Sequence, residues 1–203
     1  MQVVLNDVET ESPILIQPTG QISDQEFFDF CEANPGLKIE RTTEGEILIM
    51  PPAGWESSNR NTDLLQQLQV WTKRDGRGKA FDSNTLFMLP SGAGLSPDAA
   101  WIARSRLATL TKEQKKKFGA LCPDFVVELR SPSDRLSALQ AKMREWIDNG
   151  AQLAWLIDPE SRTIHIYRPG KRTERLVNVA RVAGEGPVAG FVLEMADIWN
   201  PDL

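Results

Sequence analysis

Two Pro-Asp dipeptides stand at the start of short apolar runs, and their carboxylates are the groups in this sequence best suited to chemistry. Pro97-Asp98 precedes the apolar residues 99–102, and Pro123-Asp124 precedes residues 125–127, which Glu128 follows directly. One isolated Pro-Asp dipeptide is typical of an acid at the solvated rim of a strand. Two in succession, the second with an acid inside an apolar run, favour a site built from carboxylates.

The spacing of these acids indicates which of them could share an ion. Asp124 and Glu128 lie on one face of a strand, but their Cα atoms are ~13 Å apart, so one metal ion is not expected to take both directly. Asp98 is the better partner for Glu128, because neighbouring strands lie only about 4.8 Å apart. Hard oxygen ligands of this kind suit Mg²⁺ or Mn²⁺, which bind one or two carboxylates plus substrate phosphate oxygens.

Three further acids have roles that the sequence leaves open. Glu40 lies in a predicted hairpin strand, and Glu56 precedes a predicted helix. Either could be an auxiliary acid of the site or a plain surface residue. The role of Asp124, at the start of its strand, is open in the same way.

The elements that must position these acids follow from caps and periodicity. The string Ser23-Asp24-Gln25-Glu26 predicts a capping box and a short helix, and residues 37–41 and 46–50 predict an antiparallel hairpin. Residues 57–59 (Ser-Ser-Asn) offer N-caps for a second helix with leucines at 64, 65 and 68. Later helices are predicted over 111–117 and 135–149, and strands near 80–82, 85–89, 98–102, 125–129, 153–157, 163–167 and 175–179. This order predicts an α/β fold with a mixed sheet flanked by helices.

Length and composition bound the class of protein. With 203 residues, 41% apolar content and no Pro/Gly/Ser-rich linker, we expect a single domain over residues 21–203 after an irregular arm at 1–20. No run is long enough to span a membrane, and two cysteines without a nearby histidine suit a reducing cytoplasm. We also expect the tryptophans at 55, 71, 146 and 155 to pack in or beside the core. The net charge of -5 means that any contact with DNA must use local basic clusters.

Four strings of the sequence together resemble a known family. They are SPD at 96–98, CPDFVVELRSPS at 122–133, KMREW at 142–146 and WLIDP at 155–159. Combined, they are similar to the Uma-type restriction-endonuclease-like proteins of the PD-(D/E)XK nuclease superfamily, over about residues 24–169. The resemblance implies a restriction-endonuclease-like fold and Mg²⁺-dependent, or Mn²⁺-dependent, cleavage of phosphodiester bonds. By the same match, Asp98 and Glu128 are the catalytic acids that hold the metal.

The sequence departs from this family pattern at one position. The motif expects lysine two residues after Glu128, where Arg130 stands here. Lys142 on the following helix is the obvious substitute, because it falls at the border of an apolar stripe, roughly 80° from the centre of that stripe. Arg130 keeps its proton and is better suited to clamping a phosphate of the substrate. We therefore predict Asp98, Glu128 and Lys142 as catalytic residues and Arg130 as a substrate-binding residue.

Two functions of different classes follow from these residues. The first is a Mg²⁺-dependent endonuclease, a hydrolase that binds and cuts DNA in the cytoplasm. The alternative is a catalytically silent domain of the same fold that acts as a binding or regulatory module, which the arginine at position 130 and the acidic charge favour. DNA versus RNA, the sequence preference, a homodimeric state and the biological pathway stay open.

Overall fold

The structure is a computed structural model that describes residues 13–203, so residues 1–12 of the predicted arm lie outside the described residues. The α-helices in this part of the chain are α1 (Asp24–Ala33), α2 (Trp55–Asp75), α3 (Arg104–Leu107), α4 (Leu136–Asp148) and α5 (Ala196–Trp199). The strands are β1 (Ile14–Ile16), β2 (Lys38–Arg41), β3 (Ile47–Met50), β4 (Gly78–Asp82), β5 (Phe87–Met88), β6 (Gly94–Leu95), β7 (Ala99–Ala103), β8 (Phe125–Leu129), β9 (Leu153–Asp158), β10 (Thr163–Tyr167), β11 (Glu174–Val177), β12 (Arg181–Ala183) and β13 (Val192–Glu194). Short 3₁₀ turns occur at Gln114–Lys116 and Gly186–Val188.

The chain forms two compact units. Of the described residues, the first unit contains 13–52, 84–96 and 111–121, and the second contains 53–83, 97–110 and 122–203. All four predicted site residues belong to the second unit. The expectation of one domain over 21–203 stays a prediction.

The first unit contains a five-stranded sheet in the order β1-β3-β2-β6-β5. The predicted hairpin is present, since β2 and β3 pair antiparallel with Ile39 opposite Ile49. Strand β1 pairs with β3, so residues 14–16 are regular rather than part of an irregular arm. The predicted capping box is also present, because Ser23 and Glu26 exchange hydrogen bonds at the start of α1. These hydrogen bonds from Ser23 lower the pKa of the Glu26 carboxyl.

The second unit contains a six-stranded sheet in the order β11-β10-β9-β8-β7-β4. The sheet is mixed, because β8 and β9 run parallel while the other neighbours run antiparallel. Strands β12 and β13 form a separate antiparallel pair. The chain is therefore an α/β protein with a mixed sheet, as the sequence predicts.

Two helices cover opposite faces of this sheet. Leu64 and Leu68 of α2 are fully buried in one cluster with Phe125 and Val127 of β8. Side chains of a strand alternate between faces, so Glu128 points to the other face. There the indole of Trp146 from α4 contacts Glu128. The acid on β8 thus lies beneath α4, while α2 packs against the apolar residues beside it.

The start of α2 differs from the prediction. The helix begins at Trp55 after Gly54, which takes the N-cap position in an extended conformation, and not at residues 57–59. Trp55 is also 87% exposed, so the expectation that it packs is wrong. The physical reason is its angle on the helix, since nine residues separate it from Leu64 and place it about 180° from that buried side chain.

Smaller differences lie at element ends. The predicted helix over 111–117 is a single 3₁₀ turn, and the helix predicted over 135–149 is one residue shorter at each end. Strands β6, β12 and β13 and the short helices α3 and α5, each of four residues or fewer, had no prediction. No helix within residues 13–203 is long and apolar enough to cross a membrane.

Candidate active site

Asp98 lies at a bend directly before β7, and two elements hold its carboxylate. The backbone N–H of Leu129 in β8 donates to Oδ2 at 2.7 Å, and the side-chain amide of Asn61 in α2 donates to Oδ1 at 3.2 Å. Each oxygen therefore accepts one hydrogen bond from a different direction. A carboxylate offers about four lone-pair sites, so acceptor capacity remains for a cation.

Glu128 lies inside β8 and is only 4% exposed. Its Oε1 accepts a hydrogen bond from the indole Nε1 of Trp146 at 3.0 Å and lies 3.0 Å from the ammonium Nζ of Lys142. Both partners project from α4, one helical turn apart. A buried carboxylate needs such partners, because an unpaired charge in the interior is costly.

Strand register relates Asp98 to Glu128, and an ion pair relates Glu128 to Lys142. Strands β7 and β8 pair antiparallel with Ala99 opposite Val127, and one further step of this register sets Asp98 opposite Glu128. The Leu129 N–H then ties the Asp98 carboxylate to the residue after Glu128. Lys142 reaches Glu128 from α4, with 17% of its side chain exposed.

The chemistry of these donors fits a small divalent cation. Within residues 13–203 no group of three or more histidine, cysteine, aspartate or glutamate side chains is arranged to hold a metal. Asp98 and Glu128 together would supply two carboxylates to a bound cation. Mg²⁺ commonly takes one or two protein carboxylates and completes its shell with water and substrate oxygens. A closed site of the zinc type does not fit, because it needs four protein ligands.

Arg130 is more heavily engaged than the sequence suggests. Its Nη1 lies 3.2 Å from the buried Asp158 and 3.1 Å from the exposed Glu160, and its Nε donates to the backbone oxygen of Asp134. These groups lie at a cleft of about 350 Å³ that Glu56 and Arg60 also line. Of the four predicted site residues, Arg130 lines this cleft and Asp98, Glu128 and Lys142 do not.

Asp124, whose role was open, is a structural anchor at the opposite end of β8 from Glu128. It is 1% exposed and accepts hydrogen bonds from the backbone of Ala103, the guanidinium of Arg106 and the amide of Gln152 at 2.7–2.9 Å. Three donors from three segments occupy both of its oxygens. These contacts join the ends of β7, β8 and β9.

Replacing Asp124 by alanine is expected to lower the free energy of unfolding by about 3 kcal/mol, because the change strands three donors around a buried position. Urea denaturation followed by circular dichroism measures this loss. Asp124→Asn, which keeps the shape and part of the hydrogen bonding, should lose clearly less. An Asp124→Ala protein that unfolds at the wild-type urea concentration contradicts the anchoring role.

Glu40 and Glu56 have different surroundings. Glu40 is 3% exposed in the first unit and accepts a hydrogen bond from the backbone N–H of Ser96 at 2.9 Å. Glu56 is exposed on the first turn of α2 and pairs with Arg60 four residues later at 3.1 Å. Glu40 therefore orders the loop that leads to Pro97, and Glu56 forms part of the wall of the Arg130 cleft.

Neither cysteine nor histidine chemistry competes with the carboxylates. Burial raises the pKa of the Cys122 thiol to about 12 and that of Cys31 to about 11, so both are protonated at neutral pH and poor nucleophiles. His165 lies on β10 opposite Leu156, which in turn lies beside Glu128 on β8. Two strand spacings of about 4.8 Å separate the histidine from the acid, too far for a direct bond. Burial also lowers the pKa of His165.

Sequence reasoning missed Asn61, Trp146 and the two carboxylates on Arg130. A signal for Asn61 exists, because it is a polar residue on the stripe that continues through Leu64, Leu68 and Thr72 of α2. Trp146 was assigned to packing, and its indole N–H gave no hint of a partner. The pairing of Arg130 with Asp158 requires that β8 and β9 are parallel neighbours in the sheet. No local sequence pattern predicts which strands are neighbours.

Comparison with solved structures finds the same fold in another protein. The chain matches the crystal structure of a putative nuclease of the DUF820 family from Anabaena variabilis with a TM-score of 0.68 and 21% sequence identity, over 79% of this chain and 89% of the other. The likeness at this identity shows the fold. No curated protein matches the sequence.

Comparison with protein families identifies the chain more closely. Residues 24–196 match the model of the Uma2 family, described as putative restriction endonuclease. The chain belongs to this family. The resemblance in the four sequence strings is thereby confirmed, and so is the restriction-endonuclease-like fold class.

Proposed function

We propose that this protein is a cytoplasmic, divalent-metal-dependent endonuclease that hydrolyses the phosphodiester bonds of DNA. The observation that supports the proposal is the register of β7 and β8, which sets the position of Asp98 opposite Glu128, while the Leu129 N–H donates to Asp98 and Lys142 pairs with Glu128. Membership of a nuclease family supports the same reaction class.

Asp98 and Glu128 would hold the cation, Mg²⁺ or Mn²⁺, between adjacent strands. When bound, such an ion polarises the phosphate and makes water a better nucleophile. Lys142 contributes a positive charge at the same place, where it orients water or offsets the negative charge that develops on the phosphate. Trp146 keeps Glu128 in position through its indole N–H and shields it from bulk water.

Arg130 would bind a phosphate that flanks the cut bond. A guanidinium suits this role, because its planar donors match phosphate oxygens. Its contacts with Asp158 and Glu160 hold it in place but also compete with the phosphate. The buried Asp158 would anchor the side chain, while the exposed Glu160 is the partner that a phosphate can replace.

Glu160→Gln is expected to tighten DNA binding by up to about fivefold. The exposed pair with Arg130 contributes about 1 kcal/mol or less, so stability should hardly change while one repulsive charge disappears. Fluorescence anisotropy with a labelled oligonucleotide and Ca²⁺ measures the affinity. Glu174→Gln is the matched control, since Glu174 pairs with Arg168 at the far edge of the sheet. If both variants gain DNA affinity equally, the gain comes from the change in net charge alone. That result would contradict the idea that Glu160 competes with a phosphate for Arg130.

The experiment that tests the proposed reaction uses purified protein with supercoiled plasmid and with single-stranded DNA. Each substrate is incubated with Mg²⁺, Mn²⁺ or EDTA. We expect nicked or linear products only when a divalent ion is present. Products that also form in EDTA would contradict a metal-dependent mechanism.

The alternative is a catalytically silent nuclease fold that binds DNA. The full engagement of Arg130 by two carboxylates is the specific observation in its favour. The same experiment separates the two functions, because a silent module shifts the DNA in a gel and leaves it uncut with either ion.

A further inference from the structure

Asn61 is a polar residue on the buried face of α2. It precedes Leu64 by three residues, and Leu68 and Thr72 follow at intervals of four, so the four side chains share one side of the helix. Leu64 and Leu68 are fully buried in the core beneath the sheet. An apolar residue is expected at such a position, and an amide there requires a compensating hydrogen bond.

The amide of Asn61 makes this hydrogen bond to Asp98, and its other end is left unsatisfied. Its Nδ2 donates to Asp98 Oδ1 at 3.2 Å. Its Oδ1 is buried and has no hydrogen-bond partner in the part of the chain that the structure describes. The reverse orientation would set the amide oxygen against a carboxylate oxygen, so Asp98 dictates which way the amide faces.

An unsatisfied buried acceptor costs free energy, and the chain retains it at this position. Leucine has the same branching at Cγ, although it is larger, and would remove that cost, but it would also remove the donor to Asp98. The hydrogen bond from Asn61 is not needed to join Asp98 to the sheet, because Asp98 already accepts a hydrogen bond from the Leu129 N–H of the neighbouring strand. The amide instead fixes the second oxygen, and with it the plane of the carboxylate.

We propose that Asn61 is a positioning residue that orients the Asp98 carboxylate for a divalent cation, at a cost to the stability of the fold. The inference rests on the ion-binding role proposed for Asp98. It adds a residue from α2 to a site otherwise formed by β7, β8 and α4. A plain structural tether between helix and sheet would have the opposite effect on stability.

The test compares Asn61→Leu with wild-type protein in two measurements. Titration calorimetry with Mn²⁺ alone gives the ion affinity, and thermal unfolding without ion gives the stability. We expect the affinity to fall about tenfold, because a hydrogen bond to a charged group is lost. The melting temperature should stay the same or rise, because the unsatisfied oxygen is gone.

Thr72→Val is the matched control. Thr72 lies on the same face of α2, about 16 Å further along the helix, and its buried hydroxyl oxygen also has no hydrogen-bond partner among residues 13–203. Removing that hydroxyl should stabilise the protein in the same way and leave the Mn²⁺ affinity unchanged. Asn61→Ala serves as a second variant if leucine does not fit.

The outcomes separate this inference from the proposed function. Wild-type protein that binds no Mn²⁺ would overturn both the ion site and the role of Asn61. Wild-type protein that binds Mn²⁺, with variants that bind it equally well, would overturn the role of Asn61 alone. A loss of affinity that parallels a loss of stability in both variants would show a structural tether and would also overturn it.

Discussion

Asp98→Asn and Glu128→Gln are each expected to lower the rate of metal-dependent DNA cleavage by about 100-fold or more. Each substitution removes one negative charge from the pair proposed to hold the cation, and a 100-fold loss corresponds to only about 2.7 kcal/mol of the barrier. Both amides are close in shape to the acids, so the fold should persist. Initial rates of plasmid nicking with Mg²⁺ measure the effect.

Asp197→Asn is the control for these two variants, because it removes an exposed carboxylate on α5 in the same unit. It should cut DNA at the wild-type rate. Circular dichroism of all three proteins shows whether they are folded. Cleavage that survives both Asp98→Asn and Glu128→Gln would exclude the proposed site.

Lys142→Met is expected to abolish turnover while DNA binding is retained. The change removes the ammonium that lies 3.0 Å from Glu128 Oε1, and methionine preserves most of the apolar stem along α4. Stability should fall as well, by up to about 3 kcal/mol, because Glu128 is buried and loses a charged partner. Single-turnover rates at saturating protein separate the chemical step from binding.

Two variants make this prediction specific. Lys142→Arg keeps a positive charge near Glu128 and should recover the stability, with partial activity at most. Lys79→Met removes an exposed lysine of β4 and should change neither rate nor stability. Wild-type cleavage by Lys142→Met would show that the lysine has no catalytic role.

Arg130→Met is expected to affect both DNA binding and the surroundings of the buried Asp158. The sequence suggested that its loss mainly weakens DNA binding. In the structure Arg130 is also the cation beside the buried Asp158, so its removal leaves that carboxylate without this partner. A lower affinity measured for this variant therefore needs a stability measurement beside it.

Much of the fold could be predicted, because its elements carry local signals. The capping box at Ser23, the alternation in β2 and β3 and the apolar runs of β8 and β9 each fall within one element. The start of α2 could not be predicted in this way. Glycine at position 54 caps the helix without a side-chain hydrogen bond, whereas the residues Ser57 and Ser58 look like better caps and lie inside the first turn.

In the candidate site, too, features that depend on a single element could be predicted, and features that depend on tertiary contacts could not. Asp98 and Glu128 could be paired from strand spacing, and Lys142 could be placed at the border of its stripe, because both arguments use the geometry of single elements. The partners of these residues depend on which strands and helices are neighbours. The contact of Asn61 with Asp98 joins residues 37 positions apart, and Arg130 meets Asp158 across 28.

Asp98 and Glu128 are expected to bind one divalent cation between them. Crystals grown with Mn²⁺, measured at a wavelength where manganese scatters anomalously, locate the ion directly. We expect one anomalous peak per chain, about 2.2 Å from an oxygen of Asp98 and from an oxygen of Glu128. A chain saturated with Mn²⁺ that shows its peak elsewhere, or none at this pair, would contradict this expectation.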